Sequence, residues 1–243
     1  MTFTIAVTNL STRITDAEAS LMTRACQYQL TKHAAPVLLR TSWKVKFYKK
    51  GVTPPEDSFP MVIMDTPDQA NALGYHTTDD KGKPWGRVFA SPVLDNGGTA
   101  LRGAMSVSAV LSHEVLEVFV DYNVNLWADR FDGTEVAVEV CDPVEADCYD
   151  VLVGVNQIPV SVSNFVLDEW FDAFQVGGKF DYIGTVTQPL QMSPGGYIIV
   201  RDLSNGHMQA VWGSKEAEAM HAARKPFHPA ARSSKRRAAE GHH

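Results

Sequence analysis

The stretch SHEVLEVFVD, residues 112–121, has a histidine and carboxylates at a spacing that could bind a metal ion. On a helix, His113, Glu117 and Asp121 would lie in one stripe, at positions i, i+4 and i+8. Side chains four residues apart on a helix can reach the same ion, which is why metallohydrolases use this spacing. Glu114 would project beside the stripe, where a carboxylate suits a general base that takes a proton from a metal-activated water.

A third ligand has to come from another part of the chain, and several candidates are open. Glu139 is the first choice, because it lies in an alternating segment and would point away from the neighbouring valines. Asp121 is the next candidate, since it belongs to the same helical stripe. Asp142 and Glu145 follow shortly after Glu139. His76 could enter the cleft from an edge strand, as a ligand or as a hydrogen-bond donor to the transition state, although such a histidine is more often an ordinary strand residue.

The helix also allows two interpretations without a transition metal. A histidine followed by two glutamates is common on a solvated helix face or at a helix cap. The loop that follows, residues 121–132, has oxygen donors at the relative positions of an EF-hand calcium loop. These donors are Asp121, Asn123, Asn125, Asp129 and Asp132. The loop has Leu126 where an EF-hand has glycine, and it lacks the bidentate glutamate at its last position, so a polar surface loop is the simpler interpretation.

The segments before the motif predict a sheet with one early helix. Alternating and β-rich residues predict a strand at 2–10, and apolar residues at helical spacing predict a helix at 16–34 that Pro36 ends. Residues 41–50 and 60–66 predict two further strands, and turn residues around 79–84 predict a hairpin or a strand after a loop. The long motif helix is predicted over 104–121. Strands at 134–143, 149–154 and 158–167, a short helix or turn at 168–174 and a hairpin at 195–213 follow.

These elements carry a resemblance to a known family. Residues 112–121 resemble the active-site helix of the zincin metallopeptidases, and the preceding β-α-β-β-β order resembles the zincin N-terminal lobe. The strings LSHEVLE, EVCDPVE and SVSNFVL are similar to those of a group of uncharacterised bacterial and phage proteins with a zincin-like helix. The resemblance implies an α+β, zincin-like fold, with a mixed β-sheet, a long active-site helix and a smaller irregular C-terminal lobe.

The chain departs from the zincin pattern at two positions. Glu117 stands where the second histidine of the motif would be, and Asn123 stands where one zincin subgroup has its third ligand. The resemblance therefore implies His113 and Glu117 as ligands, Glu139 as a downstream third ligand and Glu114 as the catalytic base. One histidine and two carboxylates accept Zn²⁺, and they also suit another divalent cation such as Mn²⁺, Fe²⁺ or Ca²⁺.

Composition and charge indicate the partners, domain organisation and localisation to expect. The 243 residues carry a net charge of −6, which argues against binding to a nucleic-acid backbone. We predict a single domain over 1–213, with an N-terminal lobe over about 1–122 and a C-terminal lobe over about 123–213. Residues 214–243 are basic and predict a flexible tail. The sequence shows no signal peptide or membrane span, and its three cysteines form no CxxC pair, so a cytoplasmic or virion-associated protein is expected.

The function expected from these observations is a divalent-metal-dependent hydrolase, most simply a zinc-dependent metallopeptidase with a peptide or protein substrate. The substrate would lie along an edge strand, expected within 85–93, in antiparallel pairing. No nucleic-acid or membrane partner is expected, and the oligomeric state is open. Two alternatives belong to other classes. One is a non-catalytic structural or assembly protein, for instance a phage particle component, and the other is a calcium-stabilised interaction domain.

Overall fold

In the computed structural model, which describes residues 3–69 and 72–223, the first half of the chain forms a five-stranded mixed sheet. Its strands are β1 (Thr4–Asn9), β2 (Lys44–Tyr48), β3 (Phe59–Met64), β4 (Gly74–Thr78) and β5 (Pro84–Phe89). Their order across the sheet is β2-β1-β3-β5-β4. All neighbours run parallel except β4, which pairs antiparallel with β5 and forms one edge. The mixed α+β class predicted from the sequence is confirmed.

This strand order contradicts the expectation that residues 85–93 contain an edge strand. The expected range, 85–93, falls on β5 and on the start of α3 (Ala90–Asp95), which follows it directly. Because β5 is hydrogen-bonded to β3 on one side and to β4 on the other, it has no free edge. The edge strand beside it is β4. The spacing of apolar residues could not show this, since strand order depends on tertiary pairing.

The first helix, α1 (Asp16–Gln29), begins at a capping box. The Thr15 hydroxyl accepts a hydrogen bond from the Glu18 backbone N–H, and the Glu18 carboxylate accepts one from the Thr15 N–H. The helix continues through a π-helical turn, Leu30–Ala34, and through α2 (Ala35–Val37). Pro36 therefore lies inside the helical stretch and does not end it at residue 34. It occupies the first turn of α2, where the missing N–H of proline costs little.

The motif helix, α4 (Val107–Val120), is buried on all sides. The Ser106 hydroxyl caps its first turn by accepting from the Ala109 N–H. It packs against β4 and β5 on one side and against α1 and β9 on the other. The stripe predicted to be polar is therefore not a solvated face: His113 is 9% exposed and Glu117 is fully buried. Burial of a histidine and a glutamate inside the core is costly unless each has a partner.

The C-terminal half adds a second sheet and a hairpin. Strands β6 (Trp127–Asp129), β7 (Thr134–Ala137), β10 (Tyr197–Asp202) and β11 (Met208–Trp212) form a four-stranded antiparallel sheet in the order β11-β10-β7-β6. The hairpin consists of β8 (Cys148–Val153) and β9 (Ile158–Ser163). Short 3₁₀ helices form at Asp142–Val144 and Asp168–Phe171, and the last helix is α5 (Lys215–Ala223).

One cluster of buried apolar side chains connects the two halves. It contains Ile5 and Met61 of the first sheet, Leu111 of α4, and Trp170 and Ile198 of the second half. Of the predicted basic tail, the stretch 224–243 lies outside the described residues. In the described ranges, no helix has the length and apolar character that a membrane crossing requires.

Candidate metal centre

Six ionisable side chains meet in the interior, between α4, β4 and the segment that follows β7. Each is at most 9% exposed. They are His76 of β4, His113, Glu114 and Glu117 of α4, and Glu139 and Asp142 from the segment after β7.

One group of three gathers around His113. Its Nε2 lies 3.0 Å from Glu117 Oε1, one helical turn away, and 3.2 Å from Asp142 Oδ1. Potential ligand atoms of these three residues all lie within 4.8 Å of one another. Asp142 reaches the group because the chain leaves β7 and turns into a 3₁₀ helix at that residue. Gly196 permits this turn, since a Cβ there would lie 2.0 Å from the Pro143 carbonyl oxygen.

A second group gathers around His76 and shares Glu117. The Nδ1 of His76 lies 3.4 Å from Glu117 Oε2, and its Nε2 lies 3.8 Å from Glu139 Oε2. Potential ligand atoms of these three residues also lie within 4.8 Å of one another. The three side chains come from β4, α4 and the segment after β7, so the group exists only when all three elements are packed together.

Glu114 lies beside the second group, against β4. Its Oε2 is 3.4 Å from His76 Nδ1. Its Oε1 packs onto Gly74, where an added Cβ would approach this oxygen to 2.8 Å. Glycine at this position therefore lets the carboxylate lie flat against the strand, and Glu114 is only 3% exposed.

The charges of the site perturb one another. Burial alone would lower the pKa of His76, but the surrounding carboxylates raise it to about 10, and Glu139 contributes most to this rise. Burial would likewise lower the pKa of His113, and the carboxylate of Glu117 holds it well above its ordinary value. Burial raises the pKa of Glu117, but the neighbouring His113 outweighs it and the pKa lies well below the usual range. Without another cation, the imidazoles therefore serve as the counter-charges of the carboxylates.

The spacing of these side chains could hold a divalent cation. Within the described ranges, neither carboxylate oxygen of Glu117 has a hydrogen-bond partner of acceptable geometry, although His113 Nε2 is 3.0 Å away. The His76 Nε2 is also buried without such a partner. Ligand bonds of about 2.0–2.2 Å in a tetrahedral site put ligand atoms roughly 3.3–3.6 Å apart. The separations around His113 and His76 are close to this range, and an ion is one explanation for buried atoms such as the Glu117 oxygens that make no hydrogen bond among the described residues.

Comparisons with known proteins identify no relative of this chain. No protein-family model matches the chain, and neither the search of curated proteins nor that of solved structures finds a significant match. The resemblance to zincins therefore stays a prediction from the motif and the order of elements.

The structure brings together most of the site residues that the sequence indicated, in a different grouping. His113 and Glu117 lie side by side, one turn apart as expected. Glu139, the first choice for their third ligand, lies with His76 and Glu117, whereas Asp142 takes the place beside His113. The sequence indicated His76 only as a possible ligand or hydrogen-bond donor and favoured an ordinary strand residue. Tyr75 and His76 are adjacent on β4 and both are buried, so strand alternation carries no signal that marks His76.

Asp121 and Glu145 lie outside both groups. The Asp121 carboxylate accepts hydrogen bonds from the Asn125 and Leu126 backbone N–H groups and so fixes the chain as it leaves α4. Glu145 is half-buried next to the 3₁₀ turn.

The calcium loop considered for residues 121–132 is not formed as an EF-hand. Strand β6 runs through its middle, and Asp129 and Asp132 accept hydrogen bonds from the backbone of Phe131 and Thr134. Among the residues that the structure describes, the carboxylates of this loop do not form one of the groups with metal-ligand spacing.

Proposed function

We propose that this chain is a divalent-metal-dependent hydrolase, with a zincin-like arrangement and most simply a peptidase. The observation that carries the proposal is the buried convergence of His113, Glu117 and Asp142, with Glu114 next to His113 in sequence and in contact with His76. One imidazole and two carboxylates would hold Zn²⁺, Mn²⁺ or Fe²⁺. Hydrolysis requires a ligand set, a base and a place for substrate, and each has a candidate here.

A bound ion would supply Lewis-acid activation of water and of the scissile carbonyl. Glu114 is the residue that would take the proton from the attacking water and pass it to the leaving amine. Its carboxylate is held on two sides, by His76 Nδ1 at 3.4 Å and by the backbone of Gly74. A carboxylate fixed in this way keeps its orientation when solvent is displaced, which favours proton transfer to and from a defined position.

The edge strand β4 is where a peptide would bind. It carries His76 into the site and pairs with β5 on one side only. An extended peptide could add to its other side through main-chain hydrogen bonds, which would bring a peptide bond close to the site. His113 is the most exposed of the six site residues, with 11% of its side chain accessible, so solvent and substrate would approach from its side.

The near-complete burial of the site supports a second candidate, a structural ion in a non-catalytic assembly protein. Glu117 and His76 are fully buried, as expected for a closed structural metal site. A catalytic site needs an open coordination position, whereas a structural site does not. The two functions therefore differ in what happens when the base is removed and the ligands are kept.

The test measures bound metal by elemental mass spectrometry and cleavage of a quenched peptide library, in wild type and in variants. We expect His113→Ala to lose metal and activity. Glu114→Gln should retain the metal and lose about 10²–10⁴-fold in kcat, the usual contribution of a general base. Glu169→Gln, a change at an exposed carboxylate, is the matched control and should alter neither.

The pattern of loss decides between the candidates. Wild-type protein that binds metal and cleaves no peptide, with a melting temperature that Glu114→Gln leaves unchanged, would favour the structural role. Wild-type protein that binds no divalent metal in any preparation would refute both.

A further inference from the structure

The carboxylate of Glu117 faces two imidazoles with its two oxygens. Oε1 lies 3.0 Å from His113 Nε2, and Oε2 lies 3.4 Å from His76 Nδ1. The residue is fully buried, and neither oxygen makes a hydrogen bond of acceptable geometry within the described part of the chain. A carboxylate with one oxygen directed at each of two ligand groups has the arrangement of a bridge between two metal ions.

His76 gives independent support for a second ligand position. It is 0% exposed, and its Nε2 has no hydrogen-bond partner among the described residues. This nitrogen is 3.8 Å from Glu139 Oε2, which is too long for a hydrogen bond but suits two ligands of one ion. The other ring nitrogen, Nδ1, lies 3.4 Å from Glu114 Oε2. Potential ligand atoms of His76, Glu117 and Glu139 all lie within 4.8 Å of one another, so one ring nitrogen of His76 could share an ion with both carboxylates.

We propose that the site binds two divalent cations of the first transition row, one at His113, Glu117 and Asp142 and one at His76, Glu117 and Glu139, bridged by Glu117. The second ion deepens the proposed function and rests on it, because Glu117 also serves the first ion. Bridged ions would lie roughly 3.5–4 Å apart, a separation at which both could act on the attacking water and on the carbonyl oxygen of one peptide bond. With an imidazole and carboxylate oxygens in each group, Mn²⁺ and Fe²⁺ are suited as well as Zn²⁺.

The experiment uses Mn²⁺ as the probe, on full-length protein first freed of metal with a chelator. Equilibrium titration should give two Mn²⁺ per chain. The electron paramagnetic resonance spectrum should lose the isolated six-line signal as the second equivalent binds, because nearby Mn²⁺ ions couple magnetically. We expect His76→Gln and Asp142→Asn each to bind one uncoupled ion, whereas Glu117→Gln should weaken both sites. The control His33→Gln changes a histidine that contacts Tyr149 and belongs to neither group of three, and it should keep two coupled ions.

The outcomes separate this proposal from the proposed function. One Mn²⁺ per chain in wild type, unchanged in His76→Gln, would overturn the second ion, assign His76 as a counter-charge and leave a single-ion hydrolase intact. Two ions without coupling in wild type would overturn the bridging role of Glu117. No bound Mn²⁺ and no bound Zn²⁺ in wild type would overturn both proposals. If His76→Gln does not fold, the wild-type titration and its spectrum decide the question without it.

Discussion

Removing metal should lower the stability of this protein by a large and calculable amount. The six buried site residues comprise four carboxyl groups and two imidazoles, so without metal the imidazoles are the only possible counter-charges among these six. An ion that binds the folded chain alone, at a free concentration of about 1,000 times its dissociation constant, stabilises it by about 4 kcal/mol. For a domain of this size, 1 kcal/mol corresponds to roughly 2–4 °C in melting temperature. We therefore expect each bound Zn²⁺ to raise the melting temperature of chelator-treated protein by about 8–16 °C.

The assay is thermal unfolding followed by circular dichroism, in excess chelator and in a buffer that holds free Zn²⁺ at the required concentration. Glu117→Gln keeps the size of the side chain and removes the carboxylate shared by both groups, so its Zn²⁺-dependent shift should fall below about 2 °C. His33→Ala is the control, and it should keep the full Zn²⁺-dependent shift whatever its own melting temperature without metal. A wild-type shift below about 2 °C, or an equal shift in Glu117→Gln, would refute the inference that these side chains bind an ion.

Three further predictions concern the elements that position the site. Gly74→Ala should destabilise the chain by roughly 1–3 kcal/mol in urea unfolding and reduce activity, because the added methyl group would press on the Glu114 carboxylate at 2.8 Å; unchanged stability would contradict the packing described here. Thr15→Ala should cost about 1 kcal/mol by the same measurement, since it removes the hydroxyl of the capping box, and no loss would mean that the box contributes nothing. Partial burial raises the pKa of Asp65, but hydrogen bonds from residues 11–13 outweigh it and hold the pKa below its ordinary value of 3.8. The ionised group therefore stabilises the fold above that pH, so Asp65→Asn should lose up to about 1 kcal/mol at pH 7, and the difference from wild type should shrink as the pH falls below about 4. A pH-independent difference would exclude this cause.

Local patterns predicted much of the first half of the fold. Alternation in the stretch from Thr4 to Asn9 predicted β1, and the helices predicted over 16–34 and 104–121 correspond to α1 and α4 with small errors at their ends. Strand order could not be read in this way, because β4 and β5 have the same local character and only their pairing decides which of them is the edge. The burial of both faces of α4 was also beyond the sequence, since it depends on β9, which lies some 40 residues further along the chain.

The candidate site also has one part that local sequence patterns predict and another that depends on tertiary packing. The pair of His113 and Glu117 follows from helix geometry alone, because residues i and i+4 are neighbours on any α-helix. The sequence predicted Glu139 beside His113, where the structure has Asp142. The reason is that β7 ends at Ala137, and beyond a strand end alternation does not predict the direction of a side chain. The position of His76 depends on how the whole strand β4 packs against α4. The local sequence of a short strand does not predict that packing.

The enclosure of α4 has a consequence for how quickly an ion could exchange. With β4 and β5 on one side and α1 and β9 on the other, the only accessible surface among the six site residues that exceeds a few per cent belongs to His113. An ion behind that side chain cannot leave by simple diffusion. Its release would have to wait for a local opening of the elements around α4. Chelators would then strip the protein at a rate set by this opening and independent of chelator concentration, and loading would be fastest while the chain is still folding.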